Sequence, residues 1–309
     1  MGRTAFIFPG QGAQYPGMGK DFYDSCDKAR EVFETSAKVT GLDMEKLVFT
    51  ENEELNRTEY TQIAMITAEL AIWKTLTERG LKADMCAGLS LGEYAALAAA
   101  GVMETEDIFR IVRKRGIYMQ NAYPVGGAMT AVLGADIDTV DSICRSTQEK
   151  KGKAVSVANY NCPGQIVITG EAEAVEAAAA ACLEAGAKRA MPLNVSGPFH
   201  SALLKDAAAK LAAELARAEI HTPQIPYYTN VTAKAVTEAE GIRRLLADQI
   251  CSPVRWQQSV EQMIADGADC FIEIGPGKTL AGFMKRINKE VKTYNIQTVE
   301  EMEQLLSLL

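Results

Sequence analysis

"AGLSLGEYAALAAAG", residues 87–101, places Ser90 between Gly88 and Gly92, where an apolar run gives way to an alanine-rich helical pattern. G-x-S-x-G at such a junction fits a nucleophile elbow, a tight strand-to-helix turn that lifts a serine hydroxyl out of a sheet. A strand pattern precedes this serine and a helix pattern follows it, which strengthens the motif. The pentapeptide still leaves two interpretations open, since serine is also a common helix N-cap.

A serine nucleophile needs a base, and histidine is the usual one near neutral pH. The chain has two histidines. His200 lies in "NVSGPFHSALL", directly before a helix, and the order Ser-then-His suits a catalytic pair. His221, in "AEIHTPQIP", follows a helix end, where capping or solvent exposure is the simpler role. His200 is therefore the candidate base.

Backbone amides that could bind a developing oxyanion are expected in two places. The helix after Ser90 begins with unpaired N–H groups, so the amide of Leu91 points to where an oxyanion would form. The glycine-rich loop "FPGQGAQYPGMG", residues 8–19, fits neither a Walker A motif nor a convincing dinucleotide motif. As the loop after the first strand, it can supply the second N–H from Gln11.

The rest of the chain alternates short apolar runs with long amphipathic helical patterns, which predicts an α/β fold whose mostly parallel sheet carries helices on both faces. Strands are predicted at residues 4–8, 83–89, 225–230, 269–275 and 292–296. Helices are predicted at residues 21–39, 61–80, 105–123, 201–219, 256–267 and 298–309. Gly80, Gly101 and Gly267 stand at expected helix ends.

Residues 127–195 have a different rhythm, strand–helix–strand–strand–helix–strand, with "NCPG" as the turn between the middle strands. This βαββαβ order predicts a ferredoxin-like subdomain over residues 126–195, inserted into a hydrolase-like domain formed by residues 1–125 and 196–309. A cleft between the two parts is the expected ligand site.

Composition limits the function classes. The chain has 309 residues, 48% of them hydrophobic, a formal net charge of −8 and seven scattered cysteines without a CxxC pair. Neither a disulfide framework nor a metal site is expected, and the lack of a dense basic block argues against nucleic acid as a partner. No secretory leader or membrane-spanning run is recognisable. We expect a soluble, cytoplasmic protein.

Taken together, the motifs resemble the malonyl-CoA:acyl carrier protein transacylase family and the related acyltransferase domains of polyketide synthases. The resemblance runs from residue 4 to about residue 290 and rests on motifs in the family's order: "FPGQGAQ", "GLSLGEY", "RGIYMQ", "NYNCPGQ", "VSGPFHS", "QICSPVRW" and "IEIGPGKTL". It implies that the elbow serine takes an acyl group from coenzyme A and passes it to the phosphopantetheine thiol of acyl carrier protein. Coenzyme A thioester is then a substrate, and no cofactor is implied.

The resemblance also assigns residues. It implies Ser90 as nucleophile and His200 as base, with the amides of Gln11 and Leu91 as the oxyanion hole. It further implies that Arg115 of "RGIYMQ" binds the malonyl carboxylate and that the main-chain carbonyl of Gln249 orients the histidine.

Substrate choice is expected to depend on two of the implied groups. The fork of a guanidinium such as Arg115 suits a free carboxylate, and an acetyl group would leave its donors unpaired. Phe199, directly before the candidate base, is expected to crowd a branched acyl group, because the resemblance associates an aromatic residue here with malonyl over methylmalonyl.

One position departs from the family pattern, and one role is weakly specified. The family elbow is usually G-H-S-x-G, whereas Leu89 stands here in place of the histidine. Leucine cannot donate a hydrogen bond, so rate or acyl selectivity is expected to change more than reaction class. Asp206 and Glu273 are nominal alternatives to Gln249 as third member of the site, although no motif places either one.

Three alternatives stay open at this point. A discrete chain favours dissociated fatty acid synthesis, but a polyketide-type acyltransferase of different acyl selectivity has the same motifs. A serine hydrolase or thioesterase could use the same elbow, although it would leave Arg115 without a role. A catalytically weakened subunit that only docks carrier protein is the third.

Overall fold

A computed structural model describes residues 2–195 and 197–308. The described strands are β1 (Arg3–Phe8), β2 (Met85–Gly88), β3 (Gly127–Leu133), β4 (Val155–Cys162), β5 (Gln165–Glu171), β6 (Arg189–Pro192), β7 (Tyr227–Tyr228), β8 (Ala235–Val236), β9 (Ala268–Ile274) and β10 (Lys292–Ile296). The described α-helices are α1 (Lys20–Ser25), α2 (Asp27–Thr40), α3 (Met44–Phe49), α4 (Thr58–Glu78), α5 (Glu93–Ala99), α6 (Thr105–Ala122), α7 (Ile137–Lys151), α8 (Ala172–Glu184), α9 (Lys205–Leu215), α10 (Ile242–Gln249), α11 (Trp256–Ala265), α12 (Thr279–Ile287) and α13 (Val299–Leu306).

The predicted parallel sheet is confirmed. Its strand order is β10-β9-β1-β2-β7-β8, and every pairing is parallel except that of β8 with β7. The central strands β1 and β2 are short apolar runs because helices cover both faces of the sheet, so their side chains are buried on either side. The strand predicted at residues 225–230 is shorter, since only Tyr227–Tyr228 pairs in strand geometry.

Most predicted helices are confirmed to within three residues at either end, and two differ more. The helix predicted at residues 21–39 divides into α1 and α2 because Cys26 adopts an extended conformation between them. The helix predicted from residue 201 begins at Lys205, after a 3₁₀ turn over Ala202–Leu204. Helices α3, α10 and α12 are additional to those predicted from the sequence. Of the helices in residues 2–195 and 197–308, none is both long and apolar enough to cross a bilayer.

The predicted βαββαβ unit is also confirmed. Strands β3–β6 form an antiparallel sheet in the order β4-β5-β3-β6, with α7 and α8 packed on it. Pro163 and Gly164 connect β4 to β5, and Gly164 has the positive φ of 68° that such a tight turn requires. The division into residues 1–125 with 196–309 against 126–195 stays a prediction, and three of its end points, Met1, Ser196 and Leu309, lie outside the described residues.

The loops of the candidate site follow two neighbouring strands, β1 and β2. Because β1 and β2 are parallel, their carboxyl ends meet at the same edge of the sheet, where ligands of open α/β sheets bind. The loop after β1 carries Gln11, and the turn after β2 carries Ser90. A Cβ at Gly92 would lie 2.3 Å from the carbonyl oxygen of Phe8, so only glycine permits this approach of the two segments.

Candidate active site

Ser90 lies on a strained turn. Its φ is 54°, in the left-handed region that costs a residue with a Cβ about 1–2 kcal/mol. A Cβ at Gly88 would lie 1.9 Å from the carbonyl carbon of Gly92, which explains the glycine before the serine, and the approach to Phe8 explains Gly92 after it. Ser90 opens a 3₁₀ turn over Ser90–Gly92, and its hydroxyl bonds to groups across the cleft. The N-cap interpretation of this serine is therefore wrong.

His200 faces that hydroxyl. Its Nε2 lies 2.8 Å from Ser90 Oγ, and its Nδ1 lies 2.9 Å from the carbonyl oxygen of Gln249. Because a carbonyl can only accept, Nδ1 carries the proton and Nε2 is left to accept from the serine. His200 also has a positive φ, 59°. Burial, and then the charge of Arg115, lower the pKa of His200 to about 4, so the ring is neutral at neutral pH.

Arg115 brings a buried cation to the same point. This residue of α6 is 1% exposed. Its Nη2 donates to Ser90 Oγ at 3.1 Å and to Gln249 Oε1 at 2.9 Å, and its Nη1 donates to Gln62 Oε1 at 2.7 Å. All three acceptors are neutral, and no ion pair to Arg115 is found among residues 2–195 and 197–308. Burial lowers the pKa of the guanidinium, so an anionic partner would stabilise it.

All the predicted site residues except Gln249 line one cavity of about 220 Å³ between the two sheets. Gln11, Leu91 and Phe199 line it together with Ser90 and His200. The antiparallel sheet and the segment after it contribute Met129, Asn159, Asn161, Val167, Leu193 and Val195, and helix α12 contributes Thr279, Leu280 and Phe283. A cavity thus lies where the ligand site was predicted, and its walls are mostly apolar, with polar groups gathered around the serine.

The residues offered as alternatives do not join this cluster. Asp206 is exposed in the first turn of α9. Glu273 is buried at the end of β9, where its carboxylate accepts from the amides of Leu280 and Ala281 at the start of α12. His221 is about half exposed, with Nε2 3.9 Å from Glu219. The Gln249 carbonyl is therefore the described partner of His200 Nδ1.

Sequence reasoning missed three polar side chains that surround the cluster. Gln62 of α4 holds Arg115, and Glu93 and Asn230 lie buried behind the serine. Each left a signal. Gln62 is a large polar side chain in a mostly buried helix, Glu93 directly follows the elbow motif, and Asn230 follows a strand at its carboxyl end. No group of three or more potential metal ligands occurs in the described part of the chain.

Fold and site together define a class of protein, a hydrolase-like α/β protein that presents a Ser–His pair on a strand-to-helix turn beneath an inserted antiparallel sheet. The chain belongs to the acyl transferase family, whose acyl transferase domain matches residues 5–304.

Similar proteins cover the whole chain. The malonyl CoA-acyl carrier protein transacylase of Bacillus subtilis (strain 168) is 43% identical over 311 residues, which cover 100% of this chain and 98% of that protein. The crystal structure of malonyl CoA-acyl carrier protein transacylase from Clostridium perfringens ATCC 13124 has a TM-score of 0.95 at 44% identity, covering 99% of this chain and 96% of that one. A structure of a type II PKS acyl-carrier protein in complex with its malonyl-transacylase also has a TM-score of 0.95, at 42% identity, covering 99% and 100%.

Proposed function

We propose that this protein transfers a malonyl group from coenzyme A to the phosphopantetheine thiol of acyl carrier protein through a malonyl-Ser90 intermediate. The observation that carries the proposal is the buried Arg115 guanidinium, which lies 3.1 Å from Ser90 Oγ and whose described hydrogen-bond acceptors are all neutral. A substrate that brings a carboxylate next to the attacked carbonyl supplies an anion that can pair with it directly. The full-length similarity to malonyl CoA-acyl carrier protein transacylases supports the same substrate.

The first half-reaction acylates the serine. His200 Nε2 takes the proton from Ser90 Oγ as the oxygen attacks the thioester carbonyl of malonyl-CoA. The amides of Gln11 and Leu91 stabilise the oxyanion of the tetrahedral intermediate. Collapse breaks the carbon–sulfur bond, the proton passes from His200 to the departing thiolate, and coenzyme A leaves as the free thiol.

The second half-reaction is the same chemistry in reverse with a different thiol. His200 takes the proton of the phosphopantetheine thiol, the thiolate attacks the malonyl-Ser90 ester, and Ser90 Oγ recovers its proton from His200. Gln249 keeps the imidazole in the required tautomer through its main-chain carbonyl, in the place that a carboxylate occupies in many triads. The reaction consumes coenzyme A thioester as a substrate and uses no metal or cofactor.

Two contacts account for selection of the acyl group. Arg115 pairs with the malonyl carboxylate, and an acetyl group would leave that guanidinium buried and unpaired. Phe199 lies beside the base on the cavity wall, where its ring would crowd an α-methyl branch. Supply of malonyl groups for fatty acid synthesis in the cytoplasm is the favoured role, and a polyketide-type transfer of the same malonyl group is the second candidate, because one similar structure holds a type II PKS carrier protein.

Intact-mass measurement after mixing with malonyl-CoA tests the proposal. We expect a malonyl-sized adduct that maps to Ser90 and disappears on addition of holo acyl carrier protein, with malonyl-carrier protein formed. The Ser90→Ala variant is the control and should stay unmodified. An unchanged wild-type mass would overturn the proposal, and release of free malonate without carrier protein at the transfer rate would identify a hydrolase instead.

A further inference from the structure

The Asn230 side chain is hydrogen-bonded to both sides of the strained turn. Its Oδ1 accepts from the Ser90 amide at 2.6 Å, and its Nδ2 donates to the Gly88 carbonyl oxygen at 2.7 Å. The side chain thus bridges the residues on either side of Leu89, immediately before the left-handed conformation of Ser90. Such a conformation persists only where its surroundings over-determine it.

The fold fixes Asn230 in turn. Strand β7 pairs in parallel with β2, with Tyr228 opposite Ala87, so a residue two positions past Tyr228 reaches the turn that follows β2. Asn230 is fully buried. Its own amide donates to Glu93 Oε2 at 3.1 Å, and its carbonyl accepts from the Arg255 amide at 3.0 Å. These main-chain bonds and the burial hold Oδ1 and Nδ2 of Asn230 next to the turn.

Glu93 and Gln249 extend this scaffold to the other reacting groups. Gln249 Nε2 donates to the Ser90 carbonyl oxygen at 3.0 Å and to Glu93 Oε2 at 2.7 Å. Through its main-chain oxygen and Oε1, the same glutamine holds His200 and Arg115. The Ser90 carbonyl is thus bonded to the glutamine that also holds the base and the cation, and the Ser90 amide is bonded to Asn230, whereas Ser90 Oγ faces the cavity.

We propose that Asn230 is a positioning residue for the acyl transfer, holding the main chain of Ser90 so that Oγ stays within reach of both His200 and the substrate carbonyl. This inference rests on the proposed function for its reaction but not for its geometry. It has one consequence for the oxyanion hole: the Ser90 amide already donates to Asn230, so the oxyanion depends on the next amide, that of Leu91, and on Gln11.

The test compares Asn230→Ala, Asn230→Asp and a matched control, Asn52→Ala. Asn52 makes the same kind of bridge far from the cavity, since its Oδ1 accepts from the Leu55 amide at 2.8 Å and its Nδ2 donates to the Leu47 carbonyl at 2.9 Å. Three quantities are measured for each folded variant: the single-turnover rate of Ser90 malonylation, the KM for malonyl-CoA, and the rate of labelling by a small fluorophosphonate, which needs only an activated serine.

A displaced nucleophile lowers the rate of the chemical step more than it weakens substrate binding. We expect Asn230→Ala to lower malonylation and fluorophosphonate labelling by about 100-fold with little change in KM, since a displacement near 1 Å can have an effect of this size. Asn52→Ala should lower the melting temperature alone. The carboxyl group of Asn230→Asp can still accept from the Ser90 amide, and its protonated form can also donate to the Gly88 carbonyl oxygen. Its rate relative to wild type should therefore rise as the pH is lowered from about 8 to about 6.

Two results would overturn the inference. One is wild-type labelling by Asn230→Ala together with a loss of stability like that of Asn52→Ala. The other, decisive if Asn230→Ala does not fold, is an Asn230→Asp variant with the wild-type rate at every pH. If wild-type protein reacts with the fluorophosphonate but not with malonyl-CoA, the proposed function fails while the fluorophosphonate comparison still tests Asn230.

Discussion

The guanidinium of Arg115 lies 3.1 Å from the hydroxyl oxygen of Ser90. In malonyl-CoA a single methylene separates the free carboxylate from the thioester carbonyl, so a substrate whose carbonyl reaches Ser90 has its carboxylate within reach of Arg115. The cation disfavours a second positive charge on the neighbouring His200. Under the proposed function, it would also attract the acid end of the acyl group.

Removal of the cation should shift acyl selectivity from malonyl towards acetyl. We expect Arg115→Ala to lower kcat/KM for malonyl-CoA by about 100-fold or more, since hydrogen bonds to charged groups contribute about 1.5–3 kcal/mol each. The kcat/KM for acetyl-CoA should fall much less, because an acetyl group has no carboxylate that could pair with the guanidinium. The measurement is acylation of Ser90 by malonyl- and acetyl-CoA side by side.

Arg113→Ala is the matched control for that change. Arg113 is in the same helix, but it bonds to the carbonyl oxygen and carboxylate of Glu59. Its loss should leave the malonyl-to-acetyl ratio unchanged. Equal losses for both substrates in Arg115→Ala would contradict carboxylate pairing.

The pH dependence of serine labelling should report the charge of Arg115. The pKa of His200 is lowered to about 4, first by burial and then by this guanidinium, so the ring is an available base at any pH above that value. Labelling of wild-type Ser90 by a fluorophosphonate should stay constant down to about pH 5 and fall below it. In Arg115→Gln the pKa of His200 should rise, and the fall should begin at a higher pH. Identical profiles would show that the cation does not act on the base.

The sequence predicted the parts of the site that motifs and strand ends specify. Ser90 and His200 each precede a helix after a strand-rich segment, and the structure brings their side chains to 2.8 Å. Gln249 and Arg115 were assigned by resemblance alone, because a main-chain carbonyl has no residue signature and an arginine in an amphipathic helix has an ordinary surface interpretation. Their roles in the reaction stay predictions, although both residues contact the cluster.

The buried polar scaffold could not be predicted from local patterns. Asn230 reaches the Ser90 turn only because β7 pairs with β2, a contact across 140 positions of sequence. Glu93 is in a helical pattern in which an acidic first turn is common, so its burial depends on which face of α5 packs inward. Tertiary pairing, and not local propensity, determines both positions.

Shortening the aromatic wall should admit a branched acyl group. Phe199 is buried beside His200 and lines the cavity. We expect Phe199→Val to raise the kcat/KM for methylmalonyl-CoA relative to malonyl-CoA by about 10-fold, because hydrophobic pockets discriminate a methylene by about 1–3 kcal/mol. Phe283→Val is the control, since it enlarges the same cavity from helix α12. An equal gain in both variants would show that volume alone, and not the position of Phe199, limits the branch.

Glu273 should affect stability and not catalysis. Burial raises the pKa of its carboxyl to about 7, against the opposing effect of the Ala281 and Leu280 amides that it accepts from. A folded-state pKa above the unfolded one means that the stabilisation is complete below about pH 4.5 and is lost as the pH rises through about 7. Each pKa unit corresponds to about 1.4 kcal/mol of unfolding free energy. Wild type should therefore lose up to about 3 kcal/mol over this pH range, and Glu273→Gln should not show this loss.

Urea unfolding at several pH values measures the difference between wild type and Glu273→Gln, with the exposed Glu176→Gln as control. Because Glu273 bonds to the start of α12 and not to His200, Ser90 malonylation should stay at the wild-type rate in Glu273→Gln. A large loss of that rate would show that the Glu273 carboxylate acts in catalysis.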